Sequence, residues 1–306
     1  MKKKILSMML VLALMLSLSP AAVPHAHAEG GNEASVTIDG VTTEYATLAE
    51  ALEKAYFKTV TIDLLTNVTM EESIALFTQE NILLRGNGYI ITGNSRQTIS
   101  IQNANLTLDN VHIRNSSGSA DEVVKIFSDG TLTLQNDATV VSDTLTAIVN
   151  NGTLIITDGS VETYSESRNA IISEDAEMKL EAPAGSEIHI TSNSVNAVSA
   201  RSGSVTIGGN LYMGGIRAIR SYTDEQAAAV KLSGALTGEP ISVYYERFSQ
   251  LDTSDFAMIA PEEGYTITED DAEMIKPQDI EFSAYLGEDG RIWAKYAHVH
   301  SPLNDE

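Results

Sequence analysis

The 306-residue sequence predicts an all-β fold: a right-handed parallel β-helix with three strands per coil and about seven coils, an N-terminal capping helix and a small β-rich C-terminal module. Three observations predict it. Short apolar runs recur 22 to 27 residues apart, apolar and small polar residues alternate inside each run, and most runs end in Asn, Asp or Gly. A fixed period of this length marks a solenoid, and alternation marks half-buried strands.

The runs are "TVTIDLL" at 59, "NILLRGN" at 81, "NLTLDN" at 105, "TLTLQN" at 131, "TLIITDG" at 153, "EMKLEA" at 177 and "SVTIGGN" at 204. Their first apolar residues are Val60, Ile82, Leu106, Leu132, Leu154, Met178 and Val205. The turn residues that follow, such as Asp109-Asn110, Asn136-Asp137 and Asp158-Gly159, tolerate the left-handed backbone of a sharp corner. A second apolar patch follows each turn. A third aligns Ala147, Ala170, Ala197 and Ala218, a small-residue column that suits a tight inner corner. Stacking should place Leu132 over Leu154 and Leu134 over Ile156 at the strand spacing of ~4.8 Å. The leucine-rich repeat frame is absent, and the period is about half that of a propeller blade. Right-handedness follows from the crossover rule for parallel strands, not from particular residues.

A solenoid needs its ends covered. Residues 29–58 read as an N-terminal cap: a strand at "SVTIDG" and a helix from Thr47, with Thr47 and Glu50 as a capping box and Leu48, Ala51, Leu52 and Ala55 on one face. Residues 59–233 read as the β-helix. Near Gly234 the pattern changes, and residues 234–306 read as a β-rich module with strands at Ile241–Tyr245, Phe256–Ile259, Ile280–Leu286 and Ile292–Tyr296. "GEDGR" at 287 is a hairpin turn between the last two.

Residues 1–28 read as a cleaved signal peptide: Lys2, Lys3 and Lys4, an apolar run from Ile5 to Leu18, then Ala26-His27-Ala28. The apolar run is shorter than a membrane span needs. The expected location is therefore secreted or cell-surface, without membrane insertion once the leader is removed. The chain has no cysteine, so packing rather than disulfides must hold the fold. The net charge of −23 becomes −26 without the leader lysines, which argues against nucleic acid as a partner.

The "ATLAEALEKA" helix, the "GTLTL" and "GTLIITDGSVE" coils, and "LSGALTGEPISV", "EEGYTITEDDAEMIK" and "YLGEDGRIW" resemble exported β-helix proteins of Gram-positive bacteria. That group is pectate-lyase-like in fold and includes many adhesin-like surface repeats. The resemblance covers roughly residues 35–296. It implies a right-handed parallel β-helix outside the cytoplasm, and it carries no catalytic set.

A β-helix lyase would need acids holding Ca²⁺ beside a basic residue, and a hydrolase would need paired carboxylates. Asp109 and Asp158 sit at turns, where Asp serves the backbone. His112 and His189 alternate with apolar residues and should face outward, three coils apart. His298 and His300 share a strand-like tail without a third ligand. No cofactor is expected, with Ca²⁺ the one ion left open. The binding candidates are Arg217 and Arg220, which bracket a strand, and the aromatics Tyr244, Tyr245 and Trp293. Between Val60 and Val205 the only aromatics are Phe77, Tyr89, Phe127 and Tyr164. The expected function is a non-enzymatic lateral surface for binding or adhesion, with an extracellular glycan or envelope protein as partner. The alternatives are a polysaccharide lyase or hydrolase on the same fold, and a passive stalk.

Overall fold

A computed structural model describes residues 31–117, 122–194, 196–214, 217–222, 230–245, 255–277 and 282–296. Residues 1–28, expected to be a signal peptide, and His298 and His300 lie outside them. The chain is a parallel β-solenoid of about seven turns. No helix among the described residues is long and apolar enough to cross a membrane.

Three sheets run the length of the solenoid. The first stacks Thr59–Leu64, Asn81–Arg85, Asn105–Asp109, Thr131–Gln135 and Thr153–Ile156, then the second half of Ile171–Glu181 and the middle of Asn196–Gly214. The second stacks Val68–Met70, Ile90–Gly93, His112–Asn115, Thr139–Ser142, Gly159–Thr163 and Ile188–Ser192. The third stacks Ile74–Leu76, Ile99–Ile101, Glu122–Ile126 and Thr146–Asn150, then the starts of the two long strands and Arg217–Tyr222.

Alternation sets which side chains enter the core. In Thr59–Leu64 the residues Val60, Ile62 and Leu64 are buried, while Thr59, Thr61 and Asp63 are not. Leu132 pairs with Leu154 and Leu134 with Ile156, as the repeat predicts. Pairings of Ile148 with Ile171 and Ile171 with Val198 bring Ala147, Ala170 and Ala197 into one buried column. Among the described residues, no aromatic side chain is fully buried in the apolar core. The coils there are filled mainly with Val, Ile, Leu, Met and Ala, with Tyr89, Phe256, Tyr265 and Phe282 packed partly buried against them.

The corners follow the turn chemistry. Asn87, Asn110 and Asn136 adopt φ of 52°, 52° and 53°, the left-handed conformation that Asn tolerates. A second kind of corner carries buried polar residues: Asn115, Ser142, Thr163 and Ser192 succeed one another at the end of the second sheet. They hydrogen-bond turn backbone, as Ser142 does to the Leu145 N–H at 3.0 Å and Ser192 to the Arg168 carbonyl at 2.8 Å. Buried backbone groups that leave the sheet ladder must find such partners.

Asn150 performs the same task between the third sheet and the first. Its amide donates to Ser173 Oγ and to the Glu177 carbonyl, both at 3.0 Å, and its Oδ1 accepts the Gly152 N–H at 3.1 Å. It is fully buried. Asn150→Ala should therefore cost about 2 kcal/mol, because the Gly152 N–H is left unpaired. Denaturant unfolding checks this, and a cost below a few tenths would refute the bridging role.

Both ends of the first sheet close with antiparallel hairpins. At the start, Ala34–Ile38 pairs with Thr59–Leu64 and with Val41–Tyr45. The helix Leu48–Glu53 buries Leu48, Ala51 and Leu52, and Ala55 is buried beyond its end. Thr47 accepts the Glu50 N–H at 3.2 Å, while Glu33, from the preceding chain, takes the Leu48 N–H at 2.8 Å. The helix is shorter than the apolar stripe suggests. Successive bonds from Lys54 to Ala51 and from Ala55 to Leu52 tighten its last turn, and Phe57 at φ 60° leaves the helical conformation.

Parallel stacking continues past Gly234. Val230–Gly238 pairs with Asn196–Gly214, Phe256–Pro261 with Val230–Gly238, Ile241–Tyr245 with Arg217–Tyr222, and Ile275–Pro277 with Ile241–Tyr245. The hairpin Phe282–Leu286 with Ile292–Tyr296 then adds to Phe256–Pro261. Its turn forms at "GEDGR", where Gly287 N–H meets the Arg291 carbonyl at 2.8 Å.

Candidate binding face

The second sheet collects the most side-chain chemistry. Strand alternation points two rows outward, and the register aligns them along the solenoid. One row is Ile90, His112, Thr139, Ser160, His189 and Tyr212, and the other is Thr92, Arg114, Val141, Glu162 and Thr191. His112 and His189 are three coils apart, as counted from the sequence. Asp143 and Tyr164 follow the strand ends at the same edge.

These groups pair across coils. Arg114 grips Asp143 with two nitrogens: Nε at 3.1 Å from Oδ1 and Nη2 at 3.0 Å from Oδ2. The bonds to Asp143 push the Arg114 guanidinium further up from its already high range. Glu162 accepts from the Ser160 hydroxyl at 3.1 Å and from the Tyr164 hydroxyl at 3.2 Å. The Glu162 charge raises the Tyr164 phenol, with burial and that hydrogen bond adding to it. Asn193 donates to the Tyr164 carbonyl at 3.2 Å and fixes the backbone that carries the ring.

Further along, His189 Nε2 lies 3.2 Å from Glu187 Oε2, and Asn210 donates to Glu187 Oε1 at 3.1 Å. The His189 ring stacks on Tyr212, with centroids 4.6 Å apart and planes within 7°. His112 Nδ1 sits 2.9 Å from Thr139 Oγ1. Burial lowers the His112 pKa, against a smaller raising effect of Asp137, which favours the uncharged ring.

The residues expected to bind are placed elsewhere. Arg217 and Arg220 lie on Arg217–Tyr222, opposite Asn196 and Ser199, with side chains outside the described set. The register sets Tyr244 beside Arg220 and Tyr245 beside Ser221 on the third sheet; the Tyr245 side chain is also outside the described set. Trp293 is in the terminal hairpin, half-buried, its Nε1 donating to Asp289 Oδ1 at 2.9 Å. Thus Arg220 and Tyr244 are neighbours in register, and Trp293 belongs to a different segment.

Asp109 and Asp158 act as corner residues. Asp109 accepts from Gln135 at 3.0 Å and Asn136 at 2.9 Å, and Asp158 accepts the N–H groups of Asp137 at 3.3 Å and Glu187 at 3.2 Å. No cluster of three His, Asp or Glu among the described residues is arranged to hold a metal ion. Arg114 and Asp143 escaped the sequence reading because they are 29 residues apart while their strands align at 27. The signal that finds them is the register: Arg114 faces Val141, and Asp143 is the next outward position. The chain matches no family model, no curated protein and no solved structure.

Proposed function

We propose that the protein is an exported, non-enzymatic solenoid that holds an extracellular glycan against the face formed by Arg114, Asp143, Glu162, Tyr164, His189 and Tyr212. The observation that carries this reading is the state of the carboxylates. Asp143 is engaged by Arg114, Glu162 by Ser160 and Tyr164, and Glu187 by His189 and Asn210. Groups held in such pairs have fixed positions, so they present a constant set of donors and acceptors to a ligand. The exposed Tyr164 ring and the Tyr212–His189 stack add flat, amphipathic surface of the kind that recognition sites favour.

Export is supported by the leader-like composition of residues 1–28, and a cell-surface role by the resemblance to adhesin-like β-helix proteins. A glycan array, followed by capture from envelope material, tests the reading. Wild type should retain a defined set of glycans. Tyr164→Ala should weaken retention about tenfold, the size of effect an exposed anchor ring gives. A blank array, or a Tyr164→Ala protein that binds like wild type, would remove this face from consideration.

A further inference from the structure

The coils leave aromatic rings outside while filling their interior with aliphatic side chains. The exposed aromatics among the described residues are Tyr56, Phe57, Phe77, Phe127, Tyr164 and Tyr285. Four of these six belong to one corner, where the third sheet turns into the first. Tyr56 and Phe57 lie just before the strand that starts at Thr59, with Lys58 between, Phe77 follows Leu76, and Phe127 follows Ile126. Phe57 is 73 % exposed, Phe77 51 % and Phe127 36 %. Tyr56 and Phe77 rings are 6.1 Å apart, and Lys125 Nζ sits 5.4 Å above Phe127.

The register puts Phe77 and Phe127 in line along the solenoid axis. Leu76 pairs with Ile101 and Ile101 with Ile126, so Phe77, Gln102 and Phe127 occupy the same corner position in three successive coils. Phe77 and Phe127 are two coils apart, about 9.6 Å. Exposed Gln102 stands between them with a free choice of donor or acceptor.

We infer that this corner is a platform for an uncharged glycan chain lying along the axis, its sugar rings on Phe77 and Phe127 and its hydroxyls on Gln102. The inference rests on the glycan reading above and gives it a second site and a substrate class. An extended peptide would need open main-chain groups. Here they are already used between coils: Gln102 N–H to the Leu76 carbonyl at 2.7 Å, Phe127 N–H to Ile101 at 2.8 Å and Asn151 N–H to Ile126 at 2.8 Å. A polyanion is disfavoured by the net charge of −23 and by Lys125, which already faces Glu122 at 3.6 Å. A linear chain of flat, amphipathic rings offers faces to stack on Phe77 and Phe127 and hydroxyls for Gln102.

The test is titration with β-linked glucose and N-acetylglucosamine oligomers, from dimer to octamer, against wild type, Phe77→Ala, Phe127→Ala, the double variant and Tyr164→Ala. Each single Phe variant should weaken the long oligomers about fivefold to tenfold, and dimers should bind poorly to every protein. Both variants should remain folded with cooperative unfolding; Phe127→Ala should lower the midpoint more than Phe77→Ala, because the Phe127 ring is 36 % exposed against 51 % for Phe77. Loss of binding in Tyr164→Ala with wild-type affinity in both Phe variants would overturn the corner and leave the face standing. Absence of binding by any oligomer to wild type would also overturn it. So would self-association of wild type that disappears in the double variant, because a second copy would then be the occupant.

Discussion

Gly159→Ala is expected to destabilise the solenoid by about 4 kcal/mol, combining a backbone conformation that L-residues avoid with overpacking against a neighbouring coil. Gly159 has φ 110°. A Cβ there would stand 2.0 Å from the Ala138 carbonyl oxygen and 2.9 Å from the Ala138 nitrogen. Both atoms belong to backbone that cannot step aside. The Ala138 carbonyl also accepts the Ser160 N–H at 2.9 Å, so displacing it breaks the stacking bond as well. Gly185 is the internal control: its φ is 92°, yet nothing lies within 4 Å of its would-be Cβ. Gly185→Ala should cost only about 1 kcal/mol, the conformational part alone. Denaturant unfolding of the two variants separates crowding from conformation. Equal costs would show that coils at Gly159 are not packed as closely as described.

Asp271→Ala is expected to cost about 3 kcal/mol and to loosen the C-terminal coils before the rest. The Asp271 side chain is buried and joins three segments. Oδ1 accepts the Leu236 N–H at 3.1 Å, and Oδ2 accepts from the Tyr265 hydroxyl, the Thr268 N–H and the Thr268 hydroxyl at 2.8, 2.9 and 2.8 Å. Alanine would leave the Leu236 and Thr268 N–H groups without these bonds. Thr268 and Asp271 also form a complete capping box for the helix Glu269–Glu273.

The same cluster predicts a pH dependence on both sides. Burial works to raise the Asp271 pKa, but the bonds from Thr268, Tyr265 and Leu236 outweigh it and hold the carboxyl below its usual range. A depressed acid contributes stability above its unfolded value, and that contribution fades as pH falls through the lower folded value. Burial, followed by the bond to Asp271, pushes the Tyr265 phenol up to about 12. A raised phenol contributes stability below its unfolded value of about 10, and that contribution fades as pH climbs towards the folded value. The single tryptophan, Trp293, lies in the terminal hairpin and reports on this end by fluorescence. Asp289 bonds Trp293 directly, and that bond depresses its own carboxyl, so Asp289→Asn is the needed background. In that background the acid transition should move upward in pH and lose amplitude on Asp271→Ala. An unchanged transition would assign it to other carboxylates.

How much the sequence discloses differs by level. Leu132 over Leu154 was legible because alternation and period together allow one register. Asn136 and Gly159 were legible as corner residues because few side chains accept positive φ. The continuation of the parallel sheets beyond Gly234 was not, because the aligned strands there no longer end in the same turn residues. Val243 still stacks on Ile219, and Ile275 on Ile241. The helix Glu269–Glu273 was hidden by its length, since five residues give no apolar stripe. The proposed face was hidden for another reason. Arg114 and Asp143 meet diagonally across coils, and a diagonal contact appears only after the coils are in register. The aromatic corner carried a visible signal in Phe77 and Phe127, but their exposure appeared only in the fold, where no aromatic among the described residues is fully buried.

The central claim is that this solenoid recognises a glycan without changing it. The direct measurement is prolonged incubation of purified protein with the glycans it retains, followed by mass analysis of the eluted chains. Intact chains, released from wild type and retained about tenfold less by Tyr164→Ala, are the predicted result. Shortened or unsaturated products that disappear when one Asp, Glu or Arg of the face is replaced would contradict it.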